Sequence, residues 1–173
     1  WQAHDIMPLA SRMPVVDLMS MTRALLSPAD RIAWLSLLRA PFCGLGMSDL
    51  LLLTNSTQRN AYRGDPIIEQ LGTILSSNSF YEFSSYGQTS LQRIVPVLLN
   101  AWENRGRNNF RNALEHTWQQ LGGPASLSGG ADLSDVRRYL DLVETWQMAG
   151  IINDWANFEL AVDKLYAEPS PVN

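Results

Sequence analysis

Cysteine, lysine and histidine are nearly missing from this chain. Cys43 is the only cysteine, so no intrachain disulfide and no thiolate metal cluster can form, which fits a cytoplasmic protein. The two histidines, His4 and His116, lie far apart and have no second ligand at metal spacing. No apolar run approaches the ~20 residues a membrane span needs. The opening "WQAHDIMPLA" has neither an initiator methionine nor a basic start to an apolar segment, so it is not a signal peptide and reads as an internal piece of a longer protein. No Gly-rich loop ends in Lys-Ser/Thr, so no phosphate cradle for ATP is expected, and no G-x-S-x-G nucleophile elbow occurs. Acid pairs such as Asp141 and Glu144 read as solvated helix surface. The expectation is a chain without catalytic, cofactor-binding or metal-binding residues of its own.

The 173 residues are 46% apolar with six tryptophans, enough for one domain with a real core. The formal net charge of −4 is unevenly spread. Residues 1–131 hold ten arginines against nine acids, whereas residues 132–173 hold Arg137, Arg138 and Lys164 against eight acids. With Lys164 the only lysine, nearly all positive charge is guanidinium, which suits bidentate phosphate or carboxylate contact and equally fits a composition bias.

Apolar residues recur at three and four almost throughout, and no period-2 alternation is convincing, so the fold class is all-α with about eight helices and no internal repeat. Val15 to Leu26 form the first helix. "SPAD" opens the second, with Ser27 as N-cap and Asp30 in a capping-box position, and Pro41 ends it. The third starts near Met47 or Ser48 and runs to about Thr54. Asp65 and Pro66 start a fourth. The polar stretch "SSNSFYEFSSYGQTS" reads as a long loop, and a fifth helix covers about Ser90 to Trp102, with Pro96 forcing a kink or a late start. The sixth carries Phe110 to Leu121 and stops at Gly-Gly. After the flexible connection "GGPASLSGGAD", the seventh carries Val136 to Trp146, and the eighth Trp155 to Tyr166.

One short stretch invites a functional reading. In "LRAPFCGLGMSDL" an apolar helix stops at a proline, passes two glycines one residue apart and restarts at once. Glycines permit positive φ and close backbone approach, and the next helix N-terminus offers free amides to an anion. On that scheme Leu45 is the buried anchor of a Gly44–Leu45–Gly46 hairpin. The amides around Gly46, Met47 and Ser48 and the Ser48 hydroxyl then face backbone phosphate rather than base edges. A plain tight turn between helices is the competing reading. Arg39, just before the hairpin, could reach phosphate or pair with Asp30 or Asp49. Arg59 and Arg63 form a second candidate contact, and Arg105, Arg107 and Arg111 a local basic cluster. Trp34, Trp102, Trp118, Trp146 and Trp155 fall on apolar stripes and read as core; Tyr81, Phe83 and Tyr86 are the candidate base-stacking groups.

The runs "PVVDLMSMTRALLSPADRIAWLSLLRAPFCGLGMSDL" and "TWQQLGGPASL", with the terminal "LYAEP", resemble the accessory 2B domain of UvrD/RecB-type superfamily 1 DNA helicases. The resemblance is narrower to the helicase–exonuclease branch related to the exonuclease V beta subunit, and it covers nearly the whole chain. It implies a helical domain inserted in the second RecA-like motor, acting in DNA repair or recombination, with ATP and Mg bound by the parent's motor domains. It also implies a Gly-hydrophobic-Gly hairpin touching duplex DNA ahead of the fork, and Gly44-Leu45-Gly46 stands at that place. Many relatives carry Leu-Ser or Leu-Thr after the first glycine; this chain has Leu-Gly. Hinges to the motor domains would lie at the chain ends, near Pro8, Pro14, Pro169 and Pro171. The partners expected are duplex DNA and the motor domains of the parent, with no membrane. Two other classes stay open: a module docking a nuclease domain or subunit, and a stand-alone helical enzyme.

Overall fold

Pro14 at the first turn and the spacing of Val15, Leu18, Met21, Thr22 and Leu25 produce α1 (Met13–Leu26), whose apolar stripe is fully buried. The computed structural model describes residues 7–59, 65–107 and 109–165, with the side chains of 56–59 left out. Seven further α-helices follow among these residues: α2 (Arg31–Arg39), α3 (Met47–Arg59), α4 (Ile67–Ile74), α5 (Ser85–Glu103), α6 (Phe110–Gln120), α7 (Gly130–Met148) and α8 (Trp155–Asp163). Three short 3-10 turns complete an all-α fold in which no strand occurs among the described residues.

α1 is the hub, packing against α2, α6, α7 and the 3-10 turn Leu9–Ser11. α2 also meets α3 and α4, while α5 lies between α4 and α6. One continuous core results, with Trp34, Tyr139 and Phe158 as its largest fully buried side chains. Truncating a residue such as Trp34 to alanine costs about 3–5 kcal/mol in transfer and cavity terms. Trp118 is buried as well, and Trp102, Trp146 and Trp155 are partly buried against the same core. At the α7–α8 end Tyr139, Trp146 and Trp155 surround Phe158 with centroid separations of 5.2–5.9 Å, and Arg23 lies over the Trp155 ring. The two ends of the described body meet, because the Leu9 amide donates to the Leu165 carbonyl at 2.7 Å.

Several local expectations are corrected. Ser27 is not the N-cap of the second helix; it ends α1, its amide donating to Arg23 O at 2.9 Å. Asp30 is the N-cap, accepting from the Ala33 amide at 3.0 Å, and Arg23 Nη2 grips its other oxygen at 2.6 Å. A carboxylate that serves both as cap and as ion-pair partner outcompetes a serine hydroxyl at the same turn. α3 continues to Arg59, beyond Thr54.

The stretch 76–90 is not a long loop. Phe80, on a 3-10 turn (Asn78–Glu82), and Phe83 just after it insert into the core, and two serines are caps: Ser77 accepts from Ser79, Ser84 from Gly87. α5 therefore begins at Ser85 and carries Pro96 inside it, on an exposed position. The connection 122–132 is likewise structured, through Gly122 at φ +90°, a 3-10 turn (Gly123–Ser126) and the early start of α7 at Gly130. The suggested hinge prolines divide: Pro8 and Pro14 sit at the starts of the Leu9–Ser11 turn and of α1, while Pro169 and Pro171 lie outside the described residues, as do His4 and the "YAEP" part of the terminal motif.

Candidate nucleic-acid interface

The turn between α2 and α3 is built from backbone bonds first. With Arg39 the last helical residue, the amides of Cys43 and Gly44 both return to Ala40 O at 2.8 Å, and the Leu45 amide reaches Leu38 O at 3.0 Å. Gly44 takes φ +76°, a left-handed conformation that strains any residue with a Cβ. Leu45 then turns inward and is buried, anchoring the hairpin in the core. Gly46 does not use positive φ. It is the N-cap of α3, its carbonyl accepting from the Leu50 amide at 3.0 Å, and it has no side chain with which to cap.

That vacancy would ordinarily be filled by Asp49, the acid in the first turn of α3. Asp49 is buried at 2% exposure, and although its Oδ2 lies 3.7 Å from where a Gly46 Cβ would stand, its hydrogen bonds go elsewhere. Its two oxygens accept from the Ser84 amide and the Ser84 hydroxyl, each at 2.8 Å, at the start of α5. A Cβ on Gly87 would overlap this carboxylate, so the glycine in "SSYGQ" makes room for the latch. The amides of Gly46, Met47 and Ser48 make no backbone hydrogen bond among the described residues, and all three residues are exposed. The Ser48 hydroxyl is likewise without a partner there.

α5 supports the hairpin at two more points. Arg93 donates through Nη2 to the Phe42 carbonyl at 2.8 Å and the Cys43 carbonyl at 3.4 Å, and through Nη1 to Leu121 O at 2.7 Å. One guanidinium thus ties the hairpin to the end of α6. Tyr86, 67% exposed, lies over the turn: a Cβ at Gly44 would stand 3.0 Å from its hydroxyl. Beneath the turn Cys43 is fully buried, and burial pushes its thiol up to about 12, with Arg93 opposing and Asp17 adding to the shift.

The chain matches no family model, no curated protein and no solved structure.

The structure brings together Arg39, Gly44, Leu45, Gly46, Met47 and Ser48. Arg39 and Met47 line one groove of about 240 Å³ between α2 and α3, with Leu35, Leu50 and Leu51 as its apolar wall. Arg39 is exposed and forms no ion pair among the described residues, because Asp30 is taken by Arg23 and Asp49 by Ser84. Arg59 is not at the hairpin. It ends α3, twelve residues from Met47 and hence about 18 Å along the axis, and its side chain is outside the described set. Arg63 lies outside the described residues altogether.

The other candidates disperse. Arg105 folds onto its own helix end, donating to Trp102 O at 2.6 Å and stacking on the Trp102 ring. Arg111 pairs with Glu115 at 2.5 Å, and Arg107 reaches Asn104 at 3.2 Å. Phe83 is core, which removes it as a stacking group, while Tyr81 and Tyr86 remain exposed. His116 is exposed, and no group of three His, Cys, Asp or Glu among the described residues could hold a metal. No helix among the described residues is long and apolar enough to cross a membrane. Sequence reasoning missed the Arg93 clasp and the Asp49 latch; both join residues 28 to 51 positions apart, and no local spacing marks them.

Proposed function

We propose that this chain is a 2B-like accessory domain of a UvrD/RecB-type ATP-dependent DNA helicase or helicase–exonuclease, gripping duplex DNA by its phosphate backbone at the Gly44–Ser48 hairpin. The observation that carries the reading is the diversion of Asp49. Its hydrogen bonds go to Ser84 rather than to the start of α3, so the exposed amides at Gly46, Met47 and Ser48 are left as free donors beside the unpaired Arg39. Backbone amides and a single guanidinium read phosphate without reading sequence. The closeness of the two ends, Leu9 to Leu165, supports an inserted domain, whose entry and exit must adjoin in the host. ATP and Mg belong to the parent's motors on this reading, and the fragment hydrolyses nothing.

Few phosphates are engaged, so affinity is weak. A dissociation constant of roughly 10⁻⁴ to 10⁻⁵ M and a log–log salt slope no steeper than about −2 are expected. The test is fluorescence anisotropy of the chain with a tailed duplex at low salt, beside single-stranded DNA of equal length. Gly46→Glu is the informative variant: a Cβ there meets only Asp49 Oδ2 at 3.7 Å, so the fold tolerates it while a carboxylate is set at the helix start. Duplex-preferring binding lost in Gly46→Glu sustains the reading; unchanged binding in that variant overturns it.

A docking role is the second reading, and one observation favours it. Met47 and Leu51, which line the groove, are exposed by 58 and 54%, and Ile32 on α2 by 73%. Absence of DNA binding by the wild-type chain would put this reading first.

A further inference from the structure

A second concavity, independent of the DNA reading, lies on the other side of the hairpin root. It is a cleft of about 270 Å³ between α1, the α2–α3 turn and the segment 126–128. Its apolar wall includes Pro41, Phe42 and Leu127. Its uncommitted donors are few, the Trp118 indole N–H and the Ser128 hydroxyl. The Ser11 and Ser126 hydroxyls already donate, to Pro8 O at 2.8 Å and Gly123 O at 2.6 Å, which leaves their lone pairs as acceptors. Asp132 accepts from Arg12 at 2.9 Å and from the Ser128 amide at 2.8 Å. Asp17 is the one charged group of the lining with no hydrogen bond and no ion pair among the described residues, although it is half-buried in the cleft wall.

The charge count is lopsided in the same direction. Arg12 is the one cation in the lining, and it is shared between Asp132 and Asp135 through bonds of 2.9 and 2.7 Å. The Asp17 carboxylate is thus left uncompensated. The groups facing it are Cys43 beneath the turn, whose thiol is neutral, and Arg12 with Asp132 across the cleft. Arg93 is committed to the Phe42, Cys43 and Leu121 carbonyls. Desolvation holds the Asp17 carboxyl up to about 6, as expected where a buried carboxylate lacks its counter-ion.

We propose that this cleft is a binding site for an organic cation, an ammonium or guanidinium group on an alkyl stem, held by Asp17 with its methylenes against Pro41, Phe42 and Leu127. An acceptor-rich end and an apolar wall match a donor-rich head and a hydrocarbon stem. The same chemistry is offered by a free alkylamine and by the Lys or Arg side chain of a partner protein.

Both sources can be tested by ¹⁵N–¹H NMR titration of the whole chain with n-butylammonium, ethylguanidinium and the blocked peptide acetyl-Gly-Arg-Gly-amide, using N-butylurea as the neutral control. Saturable shifts are expected at the amides of 13, 15–17, 42–43 and 126–128, at least about tenfold weaker in Asp17→Asn and weaker below pH 6. Tighter binding of the peptide would identify a partner's side chain as the occupant; equal or tighter binding of the free cations would identify a small cation. Asp141→Asn, on an exposed acid, should change nothing. Shifts produced equally by N-butylurea, retained in Asp17→Asn, spread over the acidic surface, or absent for every cation would overturn the proposal.

Discussion

Replacing Asp17 by asparagine should stabilise the folded chain at neutral pH, and the sign follows from its surroundings. Burial without a partner raises this carboxyl from its ordinary 3.8 to about 6. The folded state therefore holds a proton that the unfolded state has released between those two values. Stability from this group is fully present below about pH 3.8 and is lost as pH rises through about 6. At about 1.36 kcal/mol per pKa unit the ceiling is about 3 kcal/mol. Asp17 keeps some solvent access, so screening reduces this to about 1–2 kcal/mol, or roughly 2–8 °C in Tm for a chain of this size. The assay is urea denaturation of both proteins from pH 3.5 to 8, read as their difference so that other titrating groups cancel. The two curves should nearly coincide at pH 3.5, diverge between about pH 3.8 and 6 and run parallel above that, with Asp17→Asn the more stable. A difference that is constant with pH, or a variant less stable at pH 7.5, would refute the reasoning that an unpaired, desolvated carboxylate sits here.

Two further outcomes follow from the hairpin's support. Asp49→Ala removes both acceptors of Ser84 and should cost about 2–4 kcal/mol by chemical denaturation, Ser84→Ala about 1–2, and the double variant clearly less than their sum. Additive costs would show that the latch is not a unit. Cys43, buried with its thiol held up at about 12, should react with a thiol reagent at pH 8 only at the rate of unfolding, and promptly in urea; fast labelling of the native chain would contradict the packing beneath the turn.

The helices were legible wherever periodicity was long and uninterrupted. α1, α2, α6 and α7 follow from stripes of Leu, Val, Trp and Met that have only one face to bury. The reading failed where small polar residues dominate. Ser77 and Ser84 look like loop until Phe80 and Phe83 are seen in the core, at which point the same hydroxyls become caps. At "SPAD" the sequence offers two capping residues, and only the Arg23–Asp30 pair selects between them. At the candidate site the inward Leu45 and the positive φ of Gly44 were foreseeable from Gly-hydrophobic-Gly. The clasp and the latch were not, because each pairs a residue on one helix with a backbone or hydroxyl group on another.

By itself, then, the sequence determined the fold class, the place of the α2–α3 hairpin and the packing of Trp34, Trp102, Trp118, Trp146 and Trp155 in or against the core, since these depend on local spacing and on the free energy of removing apolar surface from water. Tertiary structure alone decided which charges are free. Thirteen basic residues are visible in the chain, yet the ion pairs and carbonyl contacts of Arg12, Arg23, Arg93 and Arg111 leave Arg39 beside the hairpin and Asp17 alone in its cleft. A charge becomes available for recognition only after the fold has chosen its partners, and those partners are distant in sequence.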